Sequence, residues 1–319
     1  MTPGSPAIPP RRRPRAAAGR LLVIVMLAGL AAVAAACGQG STPGPGSASV
    51  RVVATTTILA DLVRQVGGAR VEVASLVPPG GEVHTFDPSP SDARRLAEAD
   101  LIVINGLGLD DWAEGLADGA DATAPLVHLA EGLDGVEPIT GGDQEHGGVN
   151  PHLWLDVELA RRYVAGIVDA LAEVDPDGAA GYADGAEAYD RRLAELDGWI
   201  LDRIGAVPEE RRRVVSFHDA FPYYARAYGL EIEGTIVDSP GQDPSAGALA
   251  DLVRAIRASG VSVILAEAQF SPELAATIAA ETDATVVTDL FTDSVGDPPV
   301  DTYEAVVRWD TERIVEALR

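Results

Sequence analysis

The chain has 319 residues, of which 49 are acidic and 24 basic, and its formal net charge is −25. A surface this acidic repels nucleic acid and anionic lipid, and it attracts cations without creating a specific site for them. The chain is too long for one small hydrophobic core, and its length favours two lobes.

The first 36 residues have the pattern of an export signal. Five arginines precede an apolar run at 21–36, which is shorter than the roughly 20 residues of a membrane-spanning helix. Cys37 follows at once and, as the single cysteine, cannot form an intramolecular disulfide. Residues 34–37 resemble a bacterial lipoprotein box, in which the cysteine is lipidated, although Ala34 stands where leucine is usual. Ordinary cleavage that leaves a free thiol is the alternative.

Residues 37–49 are rich in glycine, serine and proline and have no apolar periodicity, so they predict a flexible tether behind the lipid anchor. Removal of the signal takes away five arginines and no acid. The mature chain then has 19 basic and 49 acidic residues, a formal balance of −30. We expect the folded part to begin near Val50.

Strand-like and helix-like segments alternate through residues 50–175 and again through 207–319, which predicts two α/β lobes with mainly parallel sheets. The apolar, β-branched runs of the first lobe lie at 50–57, 71–77, 101–105 and 125–129. Those of the second lobe lie at 213–217, 230–237, 261–267 and 284–290.

Between the two sets, residues 157–204 show helical apolar spacing without strand signals, with a break near Asp175 and Pro176. The apolar stripe contains Leu193, Leu196, Ile200, Leu201 and Ile204. We therefore predict one long rigid helix, residues 176–206, between the lobes. A single stiff connector restricts hinge opening.

Three of the five histidines and one aspartate lie just after strand-like runs or at turns into helices; they are His84, His152, His218 and Asp293. Ligands of open α/β sheets bind at such positions. Successive members are 68, 66 and 75 residues apart, so they can meet only from separate loops, in a cleft between the lobes. Three imidazoles and one carboxylate suit a borderline divalent ion such as zinc.

Neighbouring polar residues can support these side chains. Asn150 or Asp156 can orient the ring of His152 by accepting its second N–H. Asp219, next to His218, can be a second ligand, an acceptor for the imidazole or a helix cap.

Other candidates compete with this set. Asp289 competes with Asp293 for the carboxylate position, and His128 lies in a strand-like run that indicates a structural role. His146 lies in the acidic loop 141–148, which we interpret as a solvated linker, with loose ion capture as the alternative. The glycine-rich string at 105–112 lacks the lysine and the spacing of a phosphate-binding loop.

The chain contains four ordered motifs, which are HTFDPSPSD (84–92), NPHLWLD (150–156), SFHDAFPYY (216–224) and LFTDSVG (290–296). Together they resemble the zinc/manganese-type solute-binding proteins of bacterial ABC importers, the cluster A-I family, and the resemblance covers nearly the whole mature chain. It implies two α/β lobes joined by a long helix, with the metal between them. It also implies four metal ligands, here His84, His152, His218 and Asp293.

The resemblance implies a monomeric receptor on the extracytoplasmic face of the cell membrane. It would be anchored through Cys37, capture Zn²⁺ and deliver it to an ABC permease and its ATPase, without binding nucleic acid. Histidine at position 218 favours zinc, because manganese is better served by more oxygen ligands. A manganese receptor is the alternative, because many zinc-specific members have a long histidine-rich loop where this chain has only 141–148.

Two other classes of protein are compatible with a metal site. A zinc hydrolase usually keeps an open coordination position beside three protein ligands, and the sequence has neither an HExxH motif nor a nucleophile elbow. We therefore expect no enzymatic activity. A surface adhesin, a role often suggested for relatives, is the other class, but the sequence shows no adhesive repeat.

Overall fold

The structure is a computed structural model that describes Met1 and residues 49–319 except 141–147, 238–239, 242–244 and 270–271. The predicted export signal, Cys37 with nearly all of the tether, and His146 lie outside the described residues. Among the residues that are described, no helix combines the length and the apolar composition needed to cross a bilayer.

The amino-terminal lobe is built on a parallel sheet whose strands, in spatial order, are Val71–Ser75, Val50–Ala54, Leu101–Ile104 and Leu126–His128. Val52 and Ala54 face one hydrophobic cluster and Val53 faces another, because successive residues of a strand point to opposite faces. Burial on both faces explains why these strands read as continuous apolar runs. The elements are β1 (Val50–Ala54), α1 (Thr57–Gly67), β2 (Val71–Ser75), α2 (Pro90–Ala97), β3 (Leu101–Ile104), α3 (Trp112–Gly119), β4 (Leu126–His128) and α4 (Val157–Val174).

The carboxyl-terminal lobe repeats this plan with a parallel sheet whose strands, in spatial order, are Glu231–Thr235, Arg213–Ser216, Val263–Glu267 and Thr285–Leu290. Val263 and Leu265 of a central strand face one cluster, whereas Ile264 and Ala266 face the other. The two lobes confirm the predicted fold class. The elements are β5 (Arg213–Ser216), α6 (Pro222–Tyr228), β6 (Glu231–Thr235), α7 (Ala246–Ser259), β7 (Val263–Glu267), α8 (Pro272–Thr282), β8 (Thr285–Leu290) and α9 (Tyr303–Ala317).

A long helix, α5 (Ala179–Gly205), links the lobes, as predicted. Helix α4 ends before Asp175, whose backbone dihedral angles lie outside the helical region (φ −141°, ψ 75°). The proline that follows disfavours a helical conformation in the residue before it. A 3₁₀ turn at Pro176–Gly178 then leads into α5, so the break falls where the sequence indicated it.

The apolar stripe of α5 is narrower than predicted. Its buried members are Leu193, Leu196, Ile200 and Ile204. Leu201 was predicted to belong to the stripe, but its side chain is 47% exposed. The prediction was wrong because each residue turns the helix by about 100°, which moves Leu201 off the face that Ile200 occupies.

Helix α5 comes into backbone contact with α1 at Gly185. A Cβ atom on Gly185 would lie 2.4 Å from the carbonyl oxygen of Val66, closer than real Cβ contacts allow. Glycine therefore permits an approach of these two helices that a side chain would prevent. Gly198, on the same helix, has no such neighbour within 4 Å.

The segment that follows β8, residues 291–303, is tied to the amino-terminal lobe although it follows a carboxyl-terminal strand. Its bonds are Trp154 Nε1 to the Thr292 carbonyl (2.8 Å), the Val295 amide to Thr57 Oγ1 (2.8 Å), the Gly80 amide to the Val295 carbonyl (3.2 Å), the Tyr303 amide to Asp61 Oδ2 (2.9 Å) and the Tyr303 hydroxyl to the Trp154 carbonyl (2.7 Å). Both lobes thus meet along this segment within one compact unit, Ser49–Arg319. The lobe boundaries near 175 and 207 stay predictions.

Candidate metal centre

The structure brings together the four side chains that the sequence singled out. His84, His152, His218 and Asp293 each offer one ligand atom, and these atoms all lie within 4.8 Å of one another. Asp293 Oδ1 is 3.4 Å from His152 Nε2, and its Oδ2 is 3.9 Å from His84 Nε2 and 3.8 Å from His218 Nε2. The Nε2 atoms of His152 and His218 are 3.3 Å apart.

These separations fit a small divalent cation. A tetrahedral ion with ligands at about 2.0–2.1 Å places neighbouring ligand atoms roughly 3.3–3.4 Å apart. The contacts of His152 with His218 and with Asp293 already have this spacing. The contact of His84 with Asp293 is longer, and His84 is the one member of the four whose side chain is partly exposed, at 14%. The donor set is therefore arranged for a cation, with His84 at its open side.

Each of the four candidate ligands lies outside the strands and regular α-helices. His84 lies between β2 and α2, His218 lies two residues after the end of β5, and Asp293 lies three residues after the end of β8. His152 precedes the 3₁₀ turn Leu153–Leu155, which leads into α4. The carboxyl ends of the strands in both sheets therefore face one cleft, as expected for ligand sites in open α/β sheets.

Asn150 orients the ring of His152. Its Oδ1 lies 3.0 Å from His152 Nδ1 and also accepts a hydrogen bond from the His152 amide. Its Nδ2 donates across the cleft to the backbone carbonyl of Asp219, at 2.5 Å, and to the Asp219 carboxylate, at 3.2 Å. Asp219 thus holds Asn150, while Asp156 caps α4 by accepting a bond from the Glu158 amide.

Glu267 is a functional candidate that the sequence analysis missed. It is the last residue of β7, it is buried, and its Oε1 lies 2.8 Å from Nδ1 of the equally buried His218. The signal was present in the sequence, because an acid at the carboxyl end of an apolar run follows the same rule that singled out His218.

Glu82 is a second acid that the sequence analysis missed. Its Oε1 accepts a hydrogen bond from the backbone amide of His84, at 2.9 Å. Glu82 therefore holds the backbone of this loop and not the imidazole ring of His84. Burial raises the pKa of Glu82, whereas the hydrogen bond from the His84 amide and the positive charge of His218 act to lower it.

Two competing candidates lie outside the cluster. Asp289 forms an ion pair with Arg313, at 3.0 Å, and therefore does not replace Asp293. His128 has Glu114 3.0 Å from its Nε2 and Glu131 3.5 Å from its Nδ1. These carboxylates lie at opposite ring nitrogens, so the three groups do not share a common cation position.

Burial and charge act in opposite directions on the ligands. Burial lowers the pKa of His152 well below its ordinary value, and the charges of His218 and His84 add to this effect. Burial also disfavours the charged form of His218, but Glu267 and Asp293 outweigh it and raise the pKa to about 9. Burial raises the pKa of Asp293 to about 8 against the attraction of His218.

We expect cation binding near pH 7 to release as many as two protons, one from His218 and one from Asp293, because a cation needs both groups deprotonated. Since protons compete with the cation below the pKa values of about 9 and 8, affinity should rise with pH up to about 9. Calorimetry in buffers of different ionisation enthalpy measures the release. A proton count of zero near neutral pH would contradict this assignment.

Residues 52–317 match the protein family described as "Zinc-uptake complex component A periplasmic". The chain belongs to this family. The match spans both lobes and all four side chains of the cluster, and it confirms the resemblance to metal-binding receptors of ABC importers.

Named relatives of the chain divide between manganese and zinc. The chain is 30% identical over 292 residues to the manganese-binding lipoprotein MntA of Halalkalibacterium halodurans, covering 91% of this chain and 95% of that protein. Among solved structures, it is similar to the periplasmic zinc binding protein TroA from Treponema pallidum, with a TM-score of 0.78 and 26% identity. That match covers 85% of this chain and 99% of TroA. The chain is also similar to the Mn-bound periplasmic metal binding protein from Candidatus Liberibacter asiaticus, with a TM-score of 0.75 and 26% identity. That match covers 84% of this chain and 99% of the other protein.

Proposed function

We propose that the chain is the extracytoplasmic receptor of an ABC importer, which binds Zn²⁺ and delivers it to the permease and its ATPase. The observation that carries this proposal is the convergence of three imidazoles and one carboxylate from separate loops. Relatives named as metal ABC transporter substrate-binding lipoproteins, such as SsaB of Streptococcus sanguinis, support the partners and the lipid anchor at Cys37. We propose that the receptor acts as a monomer.

The donor atoms support zinc as the cargo. Three nitrogens and one oxygen match the preference of zinc for imidazole, whereas manganese prefers carboxylate, carbonyl and water oxygens. Two of the separations, 3.3 Å between His152 and His218 and 3.4 Å between His152 and Asp293, also match a tetrahedral ion, whereas those of Asp293 with His84 and His218 are longer, at 3.9 and 3.8 Å. Manganese is the second candidate because MntA, the relative at 30% identity, is named for it.

A receptor explains the site better than a hydrolase does. Four protein ligands close the coordination sphere of a tetrahedral ion and leave no position for an activated water. Three of the four ligands are also almost completely buried, which suits retention of a cargo rather than turnover of a substrate.

Elemental analysis of the protein purified without added metal tests the cargo. We expect about one zinc ion per chain, and we expect zinc to displace manganese in an equimolar competition. The variant His84→Ala should lose the metal, whereas His128→Ala should retain it, because His128 lies outside the cluster. Manganese that remains bound in the presence of equimolar zinc would reverse the choice of cargo.

A further inference from the structure

The register of the carboxyl-terminal sheet places His218 beside Glu267. Strands β5 and β7 are parallel neighbours, and Ser216 pairs with Leu265. His218 lies two residues beyond Ser216, and Glu267, the last residue of β7, lies two residues beyond Leu265, so the two side chains meet at the carboxyl edge of the sheet. Both side chains are buried, with 0% and 1% exposure, and burial holds their contact away from competing water.

The two nitrogens of the His218 ring face different partners. Nδ1 lies 2.8 Å from Glu267 Oε1, whereas Nε2 lies 3.3 Å from His152 Nε2 and 3.8 Å from Asp293 Oδ2. A neutral imidazole has one N–H donor and one acceptor nitrogen. Because an ionised carboxylate only accepts hydrogen bonds, a carboxylate 2.8 Å from Nδ1 favours the form that has its proton on Nδ1 and its lone pair on Nε2.

We propose that Glu267 is a positioning residue of the metal centre, which fixes the proton of His218 on Nδ1 and turns the Nε2 lone pair toward the cargo. This inference rests on the proposed function. A carboxylate that accepts the second N–H of a histidine ligand fixes the ring and raises its basicity. His152 has the neutral amide of Asn150 in this place, so of these two histidines His218 is the one with a charged partner.

Glu267 also changes the charge of the loaded centre. A divalent cation with three neutral imidazoles and the Asp293 carboxylate has one net positive charge. The Glu267 carboxylate balances it, which matters because an uncompensated charge is costly in a buried site. Removal of the charge alone should therefore weaken cation binding even where the shape of the side chain is kept.

The test compares Glu267→Gln with the matched control Glu82→Gln, which removes an acid that contacts the backbone of His84 and not a ring. Competition with a chelator measures zinc affinity. We expect Glu267→Gln to lose about 10- to 100-fold, the usual effect of such partners, and Glu82→Gln to lose clearly less. Equal losses in both variants would overturn the inference, since they would indicate a general effect of negative charge.

A second measurement does not depend on the cargo. Long-range ¹H–¹⁵N spectra of the metal-free protein, recorded through a pH titration that ends with the neutral ring, report which nitrogen of His218 has the proton. We expect the proton on Nδ1 in the parent protein and a mixture of both forms in Glu267→Gln. The same mixture in the parent would overturn the inference even if zinc binds, whereas an Nδ1 proton without zinc binding would refute only the proposed function.

The variant Glu267→Asp covers the case in which Glu267→Gln fails to fold. It keeps the charge and shortens the side chain by one methylene, so the carboxylate withdraws from Nδ1. We expect a folded protein with weaker zinc binding and a less uniform His218 proton. Parental zinc affinity together with a parental spectrum would contradict the positioning role.

Discussion

The variant Asp293→Asn is expected to lose zinc affinity by more than about 100-fold, because loss of an outer partner alone typically costs 10- to 100-fold. Asp293 is the common neighbour of the other ligands, within 3.4–3.9 Å of the three Nε2 atoms. An amide cannot supply its negative charge. The metal-free variant should nevertheless be at least as stable as the parent, because burial disfavours the ionised carboxylate and raises the pKa of Asp293 to about 8.

Calorimetry and thermal unfolding with and without zinc separate these two effects. A cargo at 1,000 times its dissociation constant stabilises the folded state by about 4 kcal/mol, so the parent should show a large zinc-dependent rise in Tm and the variant almost none. The control is Asp289→Asn, which removes a nearby acid that pairs with Arg313 and should leave the rise intact. A parental rise in Asp293→Asn would refute the assignment of this ligand.

The variant Gly185→Ala is expected to destabilise the protein by about 1–3 kcal/mol, the usual cost of overpacking. Helix propensity alone predicts the opposite, because alanine is more favourable than glycine in a helix by about 0.8–1.0 kcal/mol. The packing effect should win, because the added Cβ would lie 2.4 Å from the carbonyl oxygen of Val66. That oxygen belongs to the backbone of α1, so it cannot rotate away.

Chemical denaturation of the metal-free protein measures this change in the free energy of unfolding. The matched control is Gly198→Ala, on the same helix and exposed, where nothing lies within 4 Å of the added Cβ. It should stabilise the protein by up to about 1 kcal/mol. If both variants became more stable, the prediction would be wrong, because α1 and α5 would then have room for the added Cβ atom.

The sequence was sufficient for the fold because both sheets are parallel and covered on both faces. Such strands are continuous apolar runs, and all eight predicted runs contain the strands of the structure. The histidines were visible for a related reason. His218 stands directly after one of these runs, where a polar residue is conspicuous, and His84 and His152 lie in loops that lead into helices.

The parts that the sequence did not reveal depend on contacts between distant segments. Glu267 meets His218 only because β5 and β7 are neighbours in a particular register, which neither strand specifies alone. Asn150 and Asp156 were equivalent candidates in the sequence, and the helix cap formed by Asp156 distinguishes them. Leu201 was misplaced because a pattern of apolar residues does not show which ones meet a neighbouring helix.

The bonds of segment 291–303 determine how the cluster would divide if the lobes moved apart. Trp154 holds this segment on the amino-terminal side beside Asp293, and hydrogen bonds of this kind contribute about 1 kcal/mol each. A separation that keeps them intact leaves Asp293 with His84 and His152, and only His218 moves away. The cation would then keep three of its four ligands, all on the amino-terminal side. The order of the chain suggests an equal division instead, with two ligands on each lobe.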